Sequence, residues 1–178
     1  VARQRGVRIR RPEELCRGAH IFGGAEVRVL APCPSFVPGR GANDNSIVLR
    51  VGFGERSLLL TGDAEHLAET ELLRNHPQEL RADVLKVGHH GSRTSSSPEL
   101  LEAVRPSVAT ISCGVRNRFG HPVPEVLARI SGYGAQVFRT DRDGAVELTT
   151  DGASLEVASS YGDTALALGY RLAALDGD

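Results

Sequence analysis

Two short polar clusters stand at the ends of apolar runs, and their residue types are those of metal-assisted hydrolysis. Leu58-Leu59-Leu60 leads into Thr61-Gly62-Asp63, and Val84-Leu85-Lys86-Val87 leads into Gly88-His89-His90-Gly91-Ser92. A carboxylate at a strand end is a hard oxygen donor able to bridge cations, and imidazole is a common nitrogen ligand beside it. Asp63 also has a plainer reading, as the N-cap of the helix expected to follow it. A lone buried His is usually structural, but two adjacent His framed by Gly88 and Gly91 favour metal or catalysis. Successive strand residues face opposite sides. If strand geometry persists, one His of the pair ligates and the other contacts a phosphate or orients the first; which one does what is open.

Two more clusters follow. Ser92-Arg93-Thr94-Ser95-Ser96-Ser97 is either a loop ending in a helix cap at Ser97 or a set of hydroxyl and guanidinium contacts to phosphate, with Ser92 and Arg93 the candidates. Asn117, Arg118 and His121 share the loop Arg116-Asn117-Arg118-Phe119-Gly120-His121-Pro122, where Asn117 and His121 suit phosphate contact or support of a ligand. His20, His66 and His76 have no convergent partner and read as surface residues. Lys86 reads as a strand residue with its charged end in solvent.

The elements that must position these residues are legible as an alternation. Val1 to Arg11 is basic and reads as a short strand or solvated lead-in. Ala25 to Leu30 alternates as a strand. Pro32, Pro34 and Pro38 force a loop that ends in Asn43-Asp44-Asn45-Ser46. Ile47–Val51 and Ser57–Leu60 form a hairpin, the second strand buried on both faces. Ala64–Arg74 is a helix with Leu67, Leu72 and Leu73 on its apolar face and Glu65, Glu69 and Glu71 on its wet one. Ala82–Val87 is a strand, Pro98–Val104 a helix, Val108–Ser112 a strand and Pro124–Ile130 a helix. Gln136–Arg139 and Ala145–Thr149 read as strands around the turn at Asp141–Gly144. Strand–helix–strand units in the middle with hairpins at the sides predict an α/β sandwich with a mixed sheet. Residues 153–178 read as a weakly ordered tail after a portion of a domain spanning residues 1–152.

The 178 residues suit one domain. With 21 basic and 22 acidic residues, net charge argues neither for nor against nucleic acid. Aromatic residues are 4% of the chain and Trp and Met are absent, which excludes a large stacking platform for single strands. The chain starts at Val1 without a Met and is read as a cut piece of a longer product. Cys16, Cys33 and Cys113 form no CxxC pair and are expected to be ordinary thiols.

The stretches NDNSIVLRVGFGERSLLLTGDAE, ADVLKVGHHGSRTSSSPELLEAVRP, SCGVRNRFGHP and VFRTDRDGAVE together resemble the C-terminal metallo-β-lactamase-fold domain of ComEC-type DNA-internalisation competence proteins. The resemblance covers roughly Gly18 to Gly152. It implies a partial αββα sandwich, Asp63 and the His89–His90 pair as metal and catalytic residues, zinc or manganese in the intact domain, and hydrolysis of a DNA phosphodiester. It further implies DNA as partner, no small-molecule cofactor, and a parent integral to the bacterial inner membrane through a missing N-terminal part, this domain lying outside the bilayer. The family's HxHxDH motif is absent, and NDNS stands where a His is usual, so Asn43, Asp44 or Asn45 is left to offer oxygen. A zinc site takes about three or four protein ligands. The isolated chain is therefore expected to bind metal weakly or not at all and to be inactive. The alternatives are part of a stand-alone cytoplasmic phosphoesterase of the same fold and a non-catalytic nucleic-acid-binding domain.

Overall fold

A computed structural model describes residues 3–7 and 9–161. The described residues begin with a 3-10 turn at Arg3–Arg5 and a short helix α1 at Pro12–Leu15. Of the two readings of this segment the strand is not met: the described residues form no strand before His20, and Val7 and Ile9 are exposed. Seven strands follow: β1 (His20–Phe22), β2 (Ala25–Ala31), β3 (Val48–Phe53), β4 (Arg56–Leu60), β5 (Val84–Lys86), β6 (Val108–Ile111) and β7 (Gln136–Arg139). They form one mixed sheet in strict chain order, antiparallel from β1 to β4 and parallel from β4 to β7.

The parallel half requires crossovers, and the helices α2 (His66–Asn75), α3 (Pro98–Val104) and α4 (Pro124–Gly132) supply them. Right-handed crossovers advancing in one direction across a sheet place their helices on one face. Accordingly Leu59, Leu85, Ala109 and Ile111 of the strands pack with Leu72, Leu100, Leu101, Val104, Val126 and Ile130 of the helices in one buried cluster. The opposite face presents Leu58, Val84, Val108 and Phe138, and a two-stranded hairpin covers it. That hairpin is β8 (Val146–Thr150) with β9 (Leu155–Ser159), contributing Val146, Leu148, Leu155 and Val157. The mixed sheet and two-sided core agree with the α/β sandwich read from the sequence.

Several local readings change. Gln136–Arg139 and Val146–Thr150 do not pair with each other; β7 pairs with β6, and a one-turn helix α5 (Thr140–Asp143) carries the chain to the second sheet. Residues 155–159, expected in a weakly ordered tail, form β9 because Leu155 and Val157 alternate into the second core; residues 162–178 of that tail lie outside the described residues. In α2, Leu67 is 59% exposed whereas Glu69 is buried. Cys16 and Cys33 are joined by a disulfide, with Cα atoms 5.7 Å apart. The hairpin of β1 and β2 folds the chain back so that positions separated by 17 in sequence meet, which linear spacing alone does not reveal. Cys113 alone is a free thiol among the described residues.

Candidate functional site

The polar clusters collect where β4, β5 and β6 end, at the carboxyl edge of the parallel half, the usual place for ligands in open α/β sheets. Thr61 Oγ1 donates to Lys86 O at 2.8 Å and His89 N–H donates to Gly62 O at 3.1 Å, closing the first two loops onto each other. Gly62 has φ +57°, and a Cβ there would lie 2.9 Å from Ser46 Cβ. Only glycine combines that left-handed backbone with that approach.

Asp63 does not cap α2. The Asp44 carboxylate does so from the preceding loop, accepting from Glu65 N–H (3.3 Å) and Ala68 N–H (3.0 Å). The aspartate in the turn is too early, because the N-cap of α2 is Glu65. Asp63 is held instead by its backbone, whose N–H donates to Ser46 Oγ at 3.0 Å, leaving the carboxylate 43% exposed.

The remaining NDNS residues are likewise engaged within the protein. Asn45 is buried and pins the proline-rich loop, accepting from Val37 N–H and donating to Val37 O, Arg40 O and Gly41 O. Asn43 donates to Glu65 Oε1. The side-chain oxygens of Asp44 and Asn45, two of the three expected to substitute for a missing His, thus serve to start α2 and shape the loop.

After β5 the chain leaves strand geometry. His89 and His90 both adopt left-handed backbone, with φ of 43° and 54°, so strand alternation no longer governs where their rings point. His90 Nδ1 lies 2.6 Å from Ser112 O. A carbonyl can only accept, so Nδ1 carries the proton and, in the neutral ring, the Nε2 lone pair is free. Nε2 lies 3.7 Å from Asp63 Oδ1, and the His90 side chain is 46% exposed. His89 takes a different partner. Its Nδ1 is 2.7 Å from Glu65 Oε1, and its ring meets His121 edge-on at 5.6 Å. Burial alone would raise the Glu65 carboxyl, but bonds from Thr94, Asn43 and His89 together hold it below the usual value.

Lys86, expected to reach solvent, turns back into this edge. Its Nζ donates to Gly62 O at 3.1 Å. Burial pushes the ammonium down, and the Asp63 charge opposes that effect only in part. On the sheet Lys86 lies opposite Leu60, on the face that carries Leu58 and Val84, and bonding Gly62 O satisfies its charged end there.

The serine-rich loop is built into the structure. Ser92, Ser95, Ser96 and Ser97 are buried. Ser95 Oγ donates to Gly88 O and Ser92 O, Ser92 Oγ pairs with Thr94 Oγ1, and Ser97 caps α3 by accepting from Leu100 N–H as expected. The buried Glu69 carboxylate accepts from Ser96 N–H and Ser97 N–H, while Arg129 Nη1 donates to Ser96 O on the other side. Arg93 points outward to Glu125. In the third loop Asn117 closes its own segment, donating to Gly114 O and His121 O and accepting from His121 N–H. Burial lowers the His121 imidazole, and His89 and His90 lower it further. A cavity of about 280 Å³ opens here between His90, Ser112, Cys113, Gly114, Asn117, Phe119 and His121.

Sequence reasoning assigned Asp44, Glu65, Glu69 and Lys86 other roles than those the structure gives them. Glu69 had a signal: with Ala68 and Leu72 it completes the i, i+1, i+4 set that marks a buried helix face. As a cation site the edge is a partial fit. His90 Nε2 and Asp63 Oδ1 are within reach of one ion and His90 is oriented from behind by a carbonyl, but among the described residues no group of three or more His, Cys, Asp or Glu converges.

Residues 7–115 match the family model of the metallo-beta-lactamase superfamily, whose members typically bind metal ions. The chain is 36% identical over 146 residues to ComE operon protein 3 of Bacillus subtilis, covering 82% of this chain and 18% of that protein. It is 42% identical over 105 residues to Competence protein ComA of Neisseria gonorrhoeae, covering 59% of this chain and 15% of that protein. It is 41% identical over 125 residues to Recombination protein 2 of Haemophilus influenzae, covering 70% of this chain and 15% of that protein. The chain thus spans less than a fifth of the length of these relatives.

Proposed function

The chain belongs to the metallo-β-lactamase superfamily, and on that premise we propose that it carries the later half of a metal-dependent phosphodiester hydrolase site in a DNA-uptake protein. The observation that supports this most is the facing of His90 Nε2 and Asp63 Oδ1 across 3.7 Å at adjacent strand ends. In this reading His90 and Asp63 are the metal ligands, and zinc or manganese is the ion. When bound, the ion would supply Lewis acidity toward a phosphoryl oxygen and lower the pKa of an attacking water.

The chain's own residues prepare the site. Ser112 O fixes the His90 ring, Glu65, itself held by Thr94, meets His89 to one side, and Lys86 adds positive charge beside Asp63. His89 serves as a positioning or phosphate-contacting residue. His121, with its lowered pKa, presents a neutral ring toward the same edge. Arg93 is the exposed cation for a phosphate, and Ser92 and Asn117 set loop shape. DNA is the partner. The parent is integral to the bacterial inner membrane with this domain outside the bilayer; among the described residues no helix is long and apolar enough to cross a membrane.

The missing third donor favours weak metal binding by this chain alone, and equally a second reading in which the domain binds nucleic acid without cleaving it. Calorimetric titration of zinc and manganese into the chain, its Asp63→Ala and His90→Ala variants, and His89→Ala tests the ligand set. Weak binding lost in the first two and retained in the third is expected. An equivalent held through dialysis, or binding indifferent to Asp63 and His90, would overturn it.

A further inference from the structure

We infer that Phe119 is a base-stacking residue, placed to hold the nucleobase next to the phosphate handled at the His90–Asp63 edge. The inference rests on the reading of that edge as a phosphodiester site and adds the contact that recognises a nucleic acid strand rather than a simple phosphoester. Three observations carry it.

The loop that presents Phe119 is fixed. Asn117 donates to Gly114 O at 2.9 Å and to His121 O at 2.8 Å, and accepts from His121 N–H at 3.0 Å. These three bonds tie the loop behind Arg118, Phe119 and Gly120 and leave that tip facing solvent. Phe119 is 68% exposed, so its ring is accessible to a ligand.

The ring is also aligned with the site. Phe119 stacks on His121, with centroids 6.2 Å apart and planes at 16°, and His121 in turn meets His89. Phe119 and His90 both line the cavity of about 280 Å³. A strand whose phosphate lies at His90 therefore has an adjoining base within reach of the Phe119 face.

The charge beside the ring matches a polyanion. The Arg118 guanidinium lies over Phe119, 5.2 Å from its centroid, and Arg116 is exposed on the same loop. An incoming base takes the place of Arg118 over the ring or stacks on its guanidinium plane; aromatic faces with arginine cations hold single strands without sequence preference. One ring suffices for one base, so the low aromatic content that excludes a broad platform does not oppose this.

The absence of Trp from the chain makes the test clean. Phe119→Trp introduces a single indole, and its fluorescence is followed in metal-free buffer against a short thymidine oligonucleotide and an abasic oligonucleotide of equal length. Saturable quenching by the first and little by the second is expected. Phe22→Trp, on the far edge strand β1 where Phe22 is 67% exposed, should stay unquenched. By anisotropy with the labelled thymidine oligonucleotide, Phe119→Ala should bind about tenfold more weakly than the parent chain. Equal quenching by the abasic strand, unchanged affinity in Phe119→Ala, or no binding at all would overturn the inference. Because no metal is present, the outcome is independent of whether His90 and Asp63 bind an ion.

Discussion

Glu69→Ala should be among the most damaging single changes outside the hydrophobic core, although the residue is acidic and its helix borders solvent. Glu69 is 2% exposed and its carboxylate accepts from the N–H groups of Ser96 and Ser97. Truncation leaves two buried donors without partners. Each orphaned donor costs about 1–3 kcal/mol. The loss is moderated because burying the carboxylate is itself unfavourable, as its raised pKa indicates. A net loss of about 3 kcal/mol follows, which for a domain of this size lowers Tm by roughly 10 °C. Glu69→Gln retains one acceptor but turns an amide N–H₂ toward a backbone N–H, and should fall between the two. Arg129 holds the same loop through Ser96 O, so Arg129→Ala should be non-additive with Glu69→Ala. Thermal unfolding by circular dichroism, with urea titration to confirm the free energy, measures the parent, the three single variants and the Glu69→Ala/Arg129→Ala double variant. A Glu69→Ala midpoint within 1 °C of the parent would refute the assignment of Glu69 as the anchor of this loop.

Three other outcomes follow from the same structure. Opening the Cys16–Cys33 bond, which closes a loop with a separation of 17 residues, should cost about 3 kcal/mol; urea midpoints with and without reductant measure it, and the unreduced unfolded chain should titrate one thiol, from Cys113, rather than three. Gly62→Ala should cost about 1–3 kcal/mol through its positive φ and the 2.9 Å approach to Ser46, and a change under 0.5 kcal/mol in chemical denaturation would contradict the packing described. The Arg139–Asp141 pair holds the Asp141 carboxyl at about 2, against 3.8 ordinarily, chiefly through the Arg139 hydrogen bond. A depressed carboxyl contributes stability above its unfolded pKa and loses it as pH falls from near 4 toward 2. Asp141→Asn should therefore flatten that part of the acid-unfolding curve, by on the order of 1 kcal/mol after solvent screening, and an unchanged slope would count against the pair.

The sheet was legible because its central strands are short apolar runs bounded by Gly, Pro and polar turns, and the α3 start because Ser97 precedes Pro98. Asp63 and the His pair stand out by type and position, and the structure brings Asp63 and His90 to face each other at adjacent strand ends. What escaped were roles set by tertiary contact. The cap of α2 comes from Asp44 because the proline-rich loop returns to that helix end. Lys86 looked like a solvent-facing strand residue until the turn at Gly62 placed a carbonyl against it. The separate directions of the two imidazoles depend on left-handed backbone at both His89 and His90, a conformation costly enough for non-glycine residues that sequence patterning does not anticipate it. The disulfide escaped because its closure depends on the β1–β2 hairpin.

The unbroken order of the seven strands bears on how the molecule is built. Every strand of the large sheet pairs with the one immediately before it in the chain. No strand must wait for a distant partner, and each crossover helix closes only the loop between neighbours. Such a topology keeps loop-closure entropy small at each step and favours fast folding for a mixed α/β chain. Within the described strands it also permits stepwise growth during synthesis, each later strand docking on the edge that its predecessor has formed.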